Sequence, residues 1–202
     1  KWLCKKLLNS PDSKLIDLIH VEKGLIPPNI CNVVIKDVEQ RKWDKHHWYT
    51  NSNGQYSTEE TKELDVQFDP DSELQIFLCP ILNRAAEIYH QKHSFKKSKR
   101  TADIMSRCSP IRFNRYSDGQ IMRQHHDHIH SIFDGVQKGI PVLSFIFNFN
   151  DDYEGADLYF WEDTVIPLGK GDVVVFPSLF LFPHGVTEIK KGVRYSGVSW
   201  SW

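Results

Sequence analysis

The chain has 202 residues, room for one ordinary domain with a sizeable core. Lysine plus arginine number 25 and aspartate plus glutamate 26, a balance that argues against a general nucleic-acid binder. Hydrophobic residues are 40% and charged residues 25%, which excludes a disordered chain, and no apolar run reaches the roughly 20 residues of a membrane helix.

The lysines near the start are followed by no long apolar stretch, so 1–23 reads as an N-terminal extension without a signal peptide. Pro27 and Pro28 then open a helix over 29–41, with Ile30, Val33, Val34 and Val38 at helical spacing. Residues 42–62 mix Asn, Ser, Gly and charges around Trp43 and Trp48 and read as a long loop, a candidate lid. Asp71 and Ser72 cap a second helix running to about 91. Its apolar face carries Leu74, Phe77, Leu78, Ile81, Leu82, Ala85 and Ile88, and Pro80 is expected to disturb it. Lys92, Lys96, Lys97, Lys99 and Arg100 form a basic run, either a solvated loop or a contact for an acidic substrate. Residues 24–109 thus read as a helical support region.

After Cys108 the segments become short, aromatic and β-branched. Strands are expected near 110–116, 120–127, 141–149, 157–161, 164–167, 172–176, 182–189 and 193–201. Eight short strands after a helical half point to a mainly β, cupin-like jelly roll with N-terminal helices packed on one sheet. Residues 110–202 form its core. Cys4, Cys31, Cys79 and Cys108 lie far apart without a CxxC pair, so they read as free thiols of a reducing, cytoplasmic setting.

Four of the ten histidines crowd into His125-His126-Asp127-His128-Ile129-His130. On a strand, His125 and Asp127 point to one side and His126, His128 and His130 to the other. Two histidines and a carboxylate form the facial triad that binds non-haem Fe(II) and leaves positions open. The best third ligand is His184, 59 positions later in Phe182-Pro183-His184-Gly185-Val186. A competing site on His126 and His128 has no carboxylate of matching parity before Asp134.

Such a site, with a net charge of about +1, can accept a chelating 2-oxo acid, which needs a cation for its distal carboxylate. Arg194 lies ten residues beyond His184, and Ser196 adds a hydroxyl. Reading Lys190-Lys191-Gly192 as the turn of a hairpin places Ser196 opposite Val186 and makes His184, Val186, Arg194 and Ser196 face one way.

Tyr116-Ser117-Asp118-Gly119-Gln120 followed by His125-x-Asp127 resembles the Tyr-x-x-Gly-Gln…His-x-Asp stretch of prolyl 4-hydroxylase-like Fe(II)/2-oxoglutarate-dependent dioxygenases. Asp151-Asp152-Tyr153-Glu154-Gly155-Ala156-Asp157-Leu158 is similar to that family's Asp-Tyr-x-Gly-Gly-x-Leu turn, with Ala156 for the second glycine. Gly171-Asp172-Val173-Val174-Val175-Phe176-Pro177-Ser178, then His184-Gly185-Val186 and Gly192-Val193-Arg194-Tyr195-Ser196, follow in the family's order. The likeness covers about 110–202; 24–109 resembles the family's helical support only loosely.

The resemblance implies a double-stranded β-helix. It implies Fe(II) on His125, Asp127 and His184, and 2-oxoglutarate on Arg194 with Ser196, Tyr116 and Asn148 nearby. Asn148 and Leu158 match pocket-lining positions, and Trp200 is either a substrate-side wall or a core residue. The implied reaction uses O2, with ascorbate a further candidate cofactor, and hydroxylates a C–H bond with release of succinate and CO2. A peptidyl proline is the implied substrate, and 131–139 a second candidate lid. Two other classes stay open: a cupin-type metal enzyme without 2-oxoglutarate, and a non-catalytic jelly-roll binding protein.

Overall fold

The computed structural model describes residues 13–50, 55–57, 62–93, 107–127 and 141–202. His128, His130, the candidate lid at 131–139 and most of the basic run lie outside these residues.

Helix α1 (Ser13–Ile16) and strand β1 (His20–Glu22) come first, so the segment expected as an extension supplies a strand. Helix α2 (Pro28–Val38) starts on a proline, whose missing N–H costs nothing in a first turn. It buries Cys31, Val34 and Val38. Strands β2 (Asp44–Lys45), β3 (Trp48–Thr50), β4 (Gln55–Ser57) and β5 (Asp65–Gln67) follow. The expected 42–62 loop therefore contains β2 and a β3–β4 hairpin. These strands are two or three residues long, too short for alternation to show.

Helix α3 (Glu73–His93) begins where expected, and the Ser72 hydroxyl accepts the Leu74 N–H at 3.2 Å. Pro80 does not break it; it sits on the exposed face, where the carbonyl left without a donor can turn to water. The buried face is Leu74, Leu78, Leu82, Ala85 and Tyr89, while Phe77 is 61% exposed, contrary to its expected inward position.

The strand-rich half carries β6 (Arg112–Tyr116), β7 (Met122–His125), β8 (Leu143–Asn148), β9 (Glu154–Gly155) and β10 (Leu158–Phe160). It continues with β11 (Thr164–Ile166), β12 (Val173–Pro177), β13 (His184–Val186), β14 (Ile189–Lys191) and β15 (Arg194–Ser201). A large sheet runs β1-β12-β8-β15-β6-β5-β2, and a smaller one β11-β10-β13-β7. These two sheets make the jelly roll.

Alternation along the central strands sorts two cores. Phe145, Phe147, Val173 and Val175 pack with the buried faces of α2 and α3. Ile146, Val174 and Phe176 point the other way and pack with Met122, Leu158, Phe160 and Val186 of the small sheet. Strands buried on both faces read as continuous apolar runs, as Leu143–Asn148 does.

One expected register is wrong. β15 does not form a hairpin with the His184 strand; it pairs with β6 and β8, while β13 pairs with β7 and β10. The intervening β14 pairs with β9, so the chain crosses from one sheet to the other. Ser196 lies opposite Asn114 and Asn148 rather than Val186. His184 and Arg194 still share a cavity, but they reach it from opposite sheets.

Candidate active site

β7 and β13 set His184 directly opposite His125, with ring centroids 4.4 Å apart. Gly185 makes this approach feasible. A Cβ there would lie 2.6 Å from the Tyr159 hydroxyl and 2.9 Å from the Met122 carbonyl. Asp127, just past the end of β7, completes the group, and one ligand atom from each of the three side chains lies within 4.8 Å of the others. Among the described residues this is the sole cluster of three or more metal-ligating side chains. His126 is exposed, as its parity required.

The second hydrogen bonds of the ligands fix their chemistry. His125 Nδ1 lies 2.9 Å from the Arg123 carbonyl and His184 Nδ1 lies 3.0 Å from the Phe182 carbonyl. A carbonyl only accepts, so both Nδ1 atoms carry a proton and it is the Nε2 atoms that turn toward Asp127. Those Nε2 atoms stand 3.4 and 3.7 Å from the carboxylate oxygens. The Ser144 hydroxyl donates to Asp127 Oδ2 at 2.6 Å and lies 2.7 Å from Ser178 Oγ.

Burial opposes the charge on Asp127, but His184, His125 and the Ser144 hydroxyl outweigh it and hold the carboxyl well below its usual range. Burial pushes His184 down to about 4, against the opposing pull of Asp127. The cluster at neutral pH is thus one carboxylate and neutral imidazole at His184, a donor set suited to a divalent metal. Phe160 and Phe176 pack their rings 5.4 and 4.8 Å from the His184 ring and keep that side dry.

Arg194 projects from β15 into the same cavity and is 1% exposed. Its Nε donates to Asn148 Oδ1 at 3.0 Å, and its guanidinium carbon lies 5.3 Å from the centre of the Tyr116 ring. Nη1 and Nη2 are buried without a hydrogen-bond partner among the described residues. A buried guanidinium with two orphaned nitrogens is costly, and a ligand carboxylate in the cavity would supply the missing acceptors. The residues therefore fit both groups the sequence implied, Fe(II) at the triad and a dicarboxylate reaching Arg194.

Ser196 and Tyr116 line this cavity as well, and so do Leu158 and Trp200. Burial raises the Tyr116 pKa, with Arg194 and Arg112 pulling it back, and the phenol stays protonated at neutral pH. Asn148 differs from its expected place on the co-substrate. Its Nδ2 donates to the carbonyls of Asn150 and Gly169, at 2.7 and 3.2 Å, and its Oδ1 holds Arg194. It orients the arginine. Three residues escaped the sequence reading. Ser144 and Ser178 come together only through the pairing of β8 with β12, which no local pattern reports. Arg112 shares strand parity with Tyr116 and was legible on that ground.

Residues 111–202 match the model of the 2OG-Fe(II) oxygenase superfamily. Solved structures with this fold include a Pseudomonas putida prolyl-4-hydroxylase at 17% identity and a TM-score of 0.63, over 94% of this chain and 97% of that one. A viral collagen prolyl hydroxylase from Paramecium Bursaria Chlorella virus-1, solved as a 2OG complex, aligns at 15% and 0.63, over 91% and 94%. A Trichoplax adhaerens prolyl hydroxylase in complex with a hypoxia inducible factor peptide fragment aligns at 14% and 0.68, over 100% and 93%. Fold and site together define a jelly roll with a His-Asp-His candidate metal centre. Residues 111–202 carry the pattern of the 2OG-Fe(II) oxygenase superfamily, and the chain as a whole has the fold of these prolyl hydroxylases.

Proposed function

We propose that this protein hydroxylates a prolyl residue in a peptide or protein, consuming O2 and 2-oxoglutarate and releasing succinate and CO2. The observation that carries the reading is Arg194, whose two buried, unpartnered nitrogens face the cavity that holds the triad. A cupin-type enzyme without a dicarboxylate would leave that arginine unexplained. The Trichoplax adhaerens relative, solved with a peptide fragment, supports a peptide substrate.

In this reading His125, Asp127 and His184 would hold Fe(II). When bound, the iron with 2-oxoglutarate supplies the activation of O2 that a protein side chain cannot. Arg194 grips the distal carboxylate, kept in line by Asn148. Tyr116 and Ser196 offer hydroxyl donors beside it. Ser144 fixes Asp127 through Oδ2, the oxygen that faces His184, and leaves Oδ1 toward His125. The aromatic wall of Phe160 and Phe176 excludes water from the ligand set.

The test is a screen of proline-rich peptides, folded proteins and free amino acids with Fe(II) and 2-oxoglutarate. Succinate release is followed together with product mass. Prolyl peptides that gain one oxygen atom support the reading. Turnover confined to free amino acids or to non-prolyl positions would replace the substrate.

A further inference from the structure

The cavity holds a second arginine that neither the triad nor the dicarboxylate needs. Arg112 lines it from β6, half-buried, with Nε donating to Asn114 Oδ1 at 3.1 Å. Its guanidinium carbon lies 5.6 Å from the centre of the Trp200 ring. Nη1 and Nη2 make no hydrogen bond to any described residue and, unlike those of Arg194, are not fully buried. Trp200 Nε1 is also buried without a partner. Burial works against the charge of Arg112, and Tyr116 and Asp127 only partly offset it. Among the described residues, the Arg112 Nη atoms and the Trp200 indole N–H thus stand near one another with no acceptor on either.

The register says which end of the cavity this is. Arg194 lies opposite Tyr116, whereas Arg112 lies opposite Val198, four residues along the same strand pair. At about 3.3 Å per residue, the two arginines are rooted roughly 13 Å apart. Trp200 in turn lies opposite Ser144, which holds Asp127. Arg194 therefore serves one end of the pocket, and Arg112 with Trp200 stands at the other, beside the metal-ligand carboxylate. Arg194, with both Nη atoms orphaned, takes the distal end of the dicarboxylate, which leaves Arg112 open to a second anionic group.

Resting on the prolyl hydroxylase reading, we infer that Arg112, backed by Trp200, is the specificity residue of this site, and that the substrate is a prolyl peptide with a carboxylate side chain next to the proline. Asn114 aims the guanidinium through Nε, leaving the paired Nη donors for a carboxylate in the bidentate manner arginine favours. An uncharged peptide would leave these groups unpaired on binding, which is how a buried polar group rejects the wrong ligand.

The experiment uses blocked peptides in which the residue before or after proline is Glu, Gln or Lys. Binding is measured by calorimetry on the full chain loaded with Mn(II) and 2-oxoglutarate. In one of the two series, the Glu peptide should bind about tenfold or more tightly than the Gln peptide, and the Lys peptide most weakly. Arg112→Gln should abolish the Glu-over-Gln preference, and Arg112→Glu should shift it toward Lys. The comparison of the three peptides on the unmutated protein stands even if a variant fails to fold. Equal affinity for Glu and Gln peptides in both series, no binding of any peptide, or a preference that survives Arg112→Gln would overturn the inference. Product mass judges the underlying reading separately. A bound Glu peptide that gains no oxygen in the Fe(II) enzyme removes the hydroxylase reading and leaves the recognition intact. Hydroxylation without any preference removes the recognition alone.

Discussion

Replacing Arg194 by methionine should separate ligand binding from folding. In the free protein the guanidinium is 1% exposed and keeps only one hydrogen bond, to Asn148. Its two terminal nitrogens are buried and unpaired. Exchanging such a charge for an apolar side chain of similar volume is commonly neutral or stabilising by about 1–4 kcal/mol. Asn148 Oδ1 would keep the Tyr153 hydroxyl at 3.4 Å. Binding should change in the opposite direction. Losing two charge-assisted hydrogen bonds to a carboxylate costs about 3–4 kcal/mol, which is roughly a 100- to 1,000-fold weaker 2-oxoglutarate complex. Thermal denaturation with and without 2-oxoglutarate and Mn(II) reads both quantities, because a ligand of the folded state raises the midpoint with the logarithm of its concentration over Kd. The variant should melt no lower than the parent without ligand and gain almost nothing with it. A variant that melts far lower unliganded, or keeps its 2-oxoglutarate affinity within threefold, would show Arg194 to be a structural ion.

Three further outcomes follow from the geometry. Gly185→Ala places a Cβ against the Tyr159 hydroxyl and the Met122 carbonyl, so it should cost about 1–3 kcal/mol in urea denaturation and also weaken Mn(II) binding; unchanged metal affinity would uncouple β13 from the site. Ser144→Ala removes a hydrogen bond to the Asp127 carboxylate and should weaken metal binding about 10- to 100-fold by calorimetry, whereas an unaltered affinity would make that bond incidental. Tyr89, whose hydroxyl donates to the Leu18 carbonyl at 3.0 Å, has its pKa pushed by burial from 10.0 up to about 12. A raised folded pKa leaves stability intact below about pH 10 and removes it as the pH climbs toward 12, on the order of 2 kcal/mol. Urea midpoints of the parent should fall across that window and those of Tyr89→Phe should fall less; equal slopes would refute the assignment.

The site was legible because its chemistry obeys short rules. A period of two put His125 and Asp127 on one side of a strand and His126 on the other, and the structure agrees. Residue type together with place in the strand-rich half and spacing marked His184 and Arg194. The hairpin register failed because Lys190-Lys191-Gly192 reports a turn without reporting whether the strands it joins pair with each other. Here they lie in different sheets, as jelly-roll crossovers require. Phe77 misled because helical spacing cannot tell the core-facing edge of an apolar stripe from the edge left in water. The strands at Asp44–Lys45 and Asp65–Gln67 were invisible because backbone pairing to a sheet edge, and no apolar pattern of their own, makes them strands.

The most direct measurement is anaerobic mixing of Fe(II) and 2-oxoglutarate with the purified chain, followed by visible spectroscopy. A metal-to-ligand charge-transfer band that saturates at one equivalent of iron, and is absent in His125→Ala and Arg194→Met at the same 2-oxoglutarate concentration, is the expected result. No band in the parent, or an undiminished band in His125→Ala, would contradict the assignment of the metal and its co-substrate to this cavity.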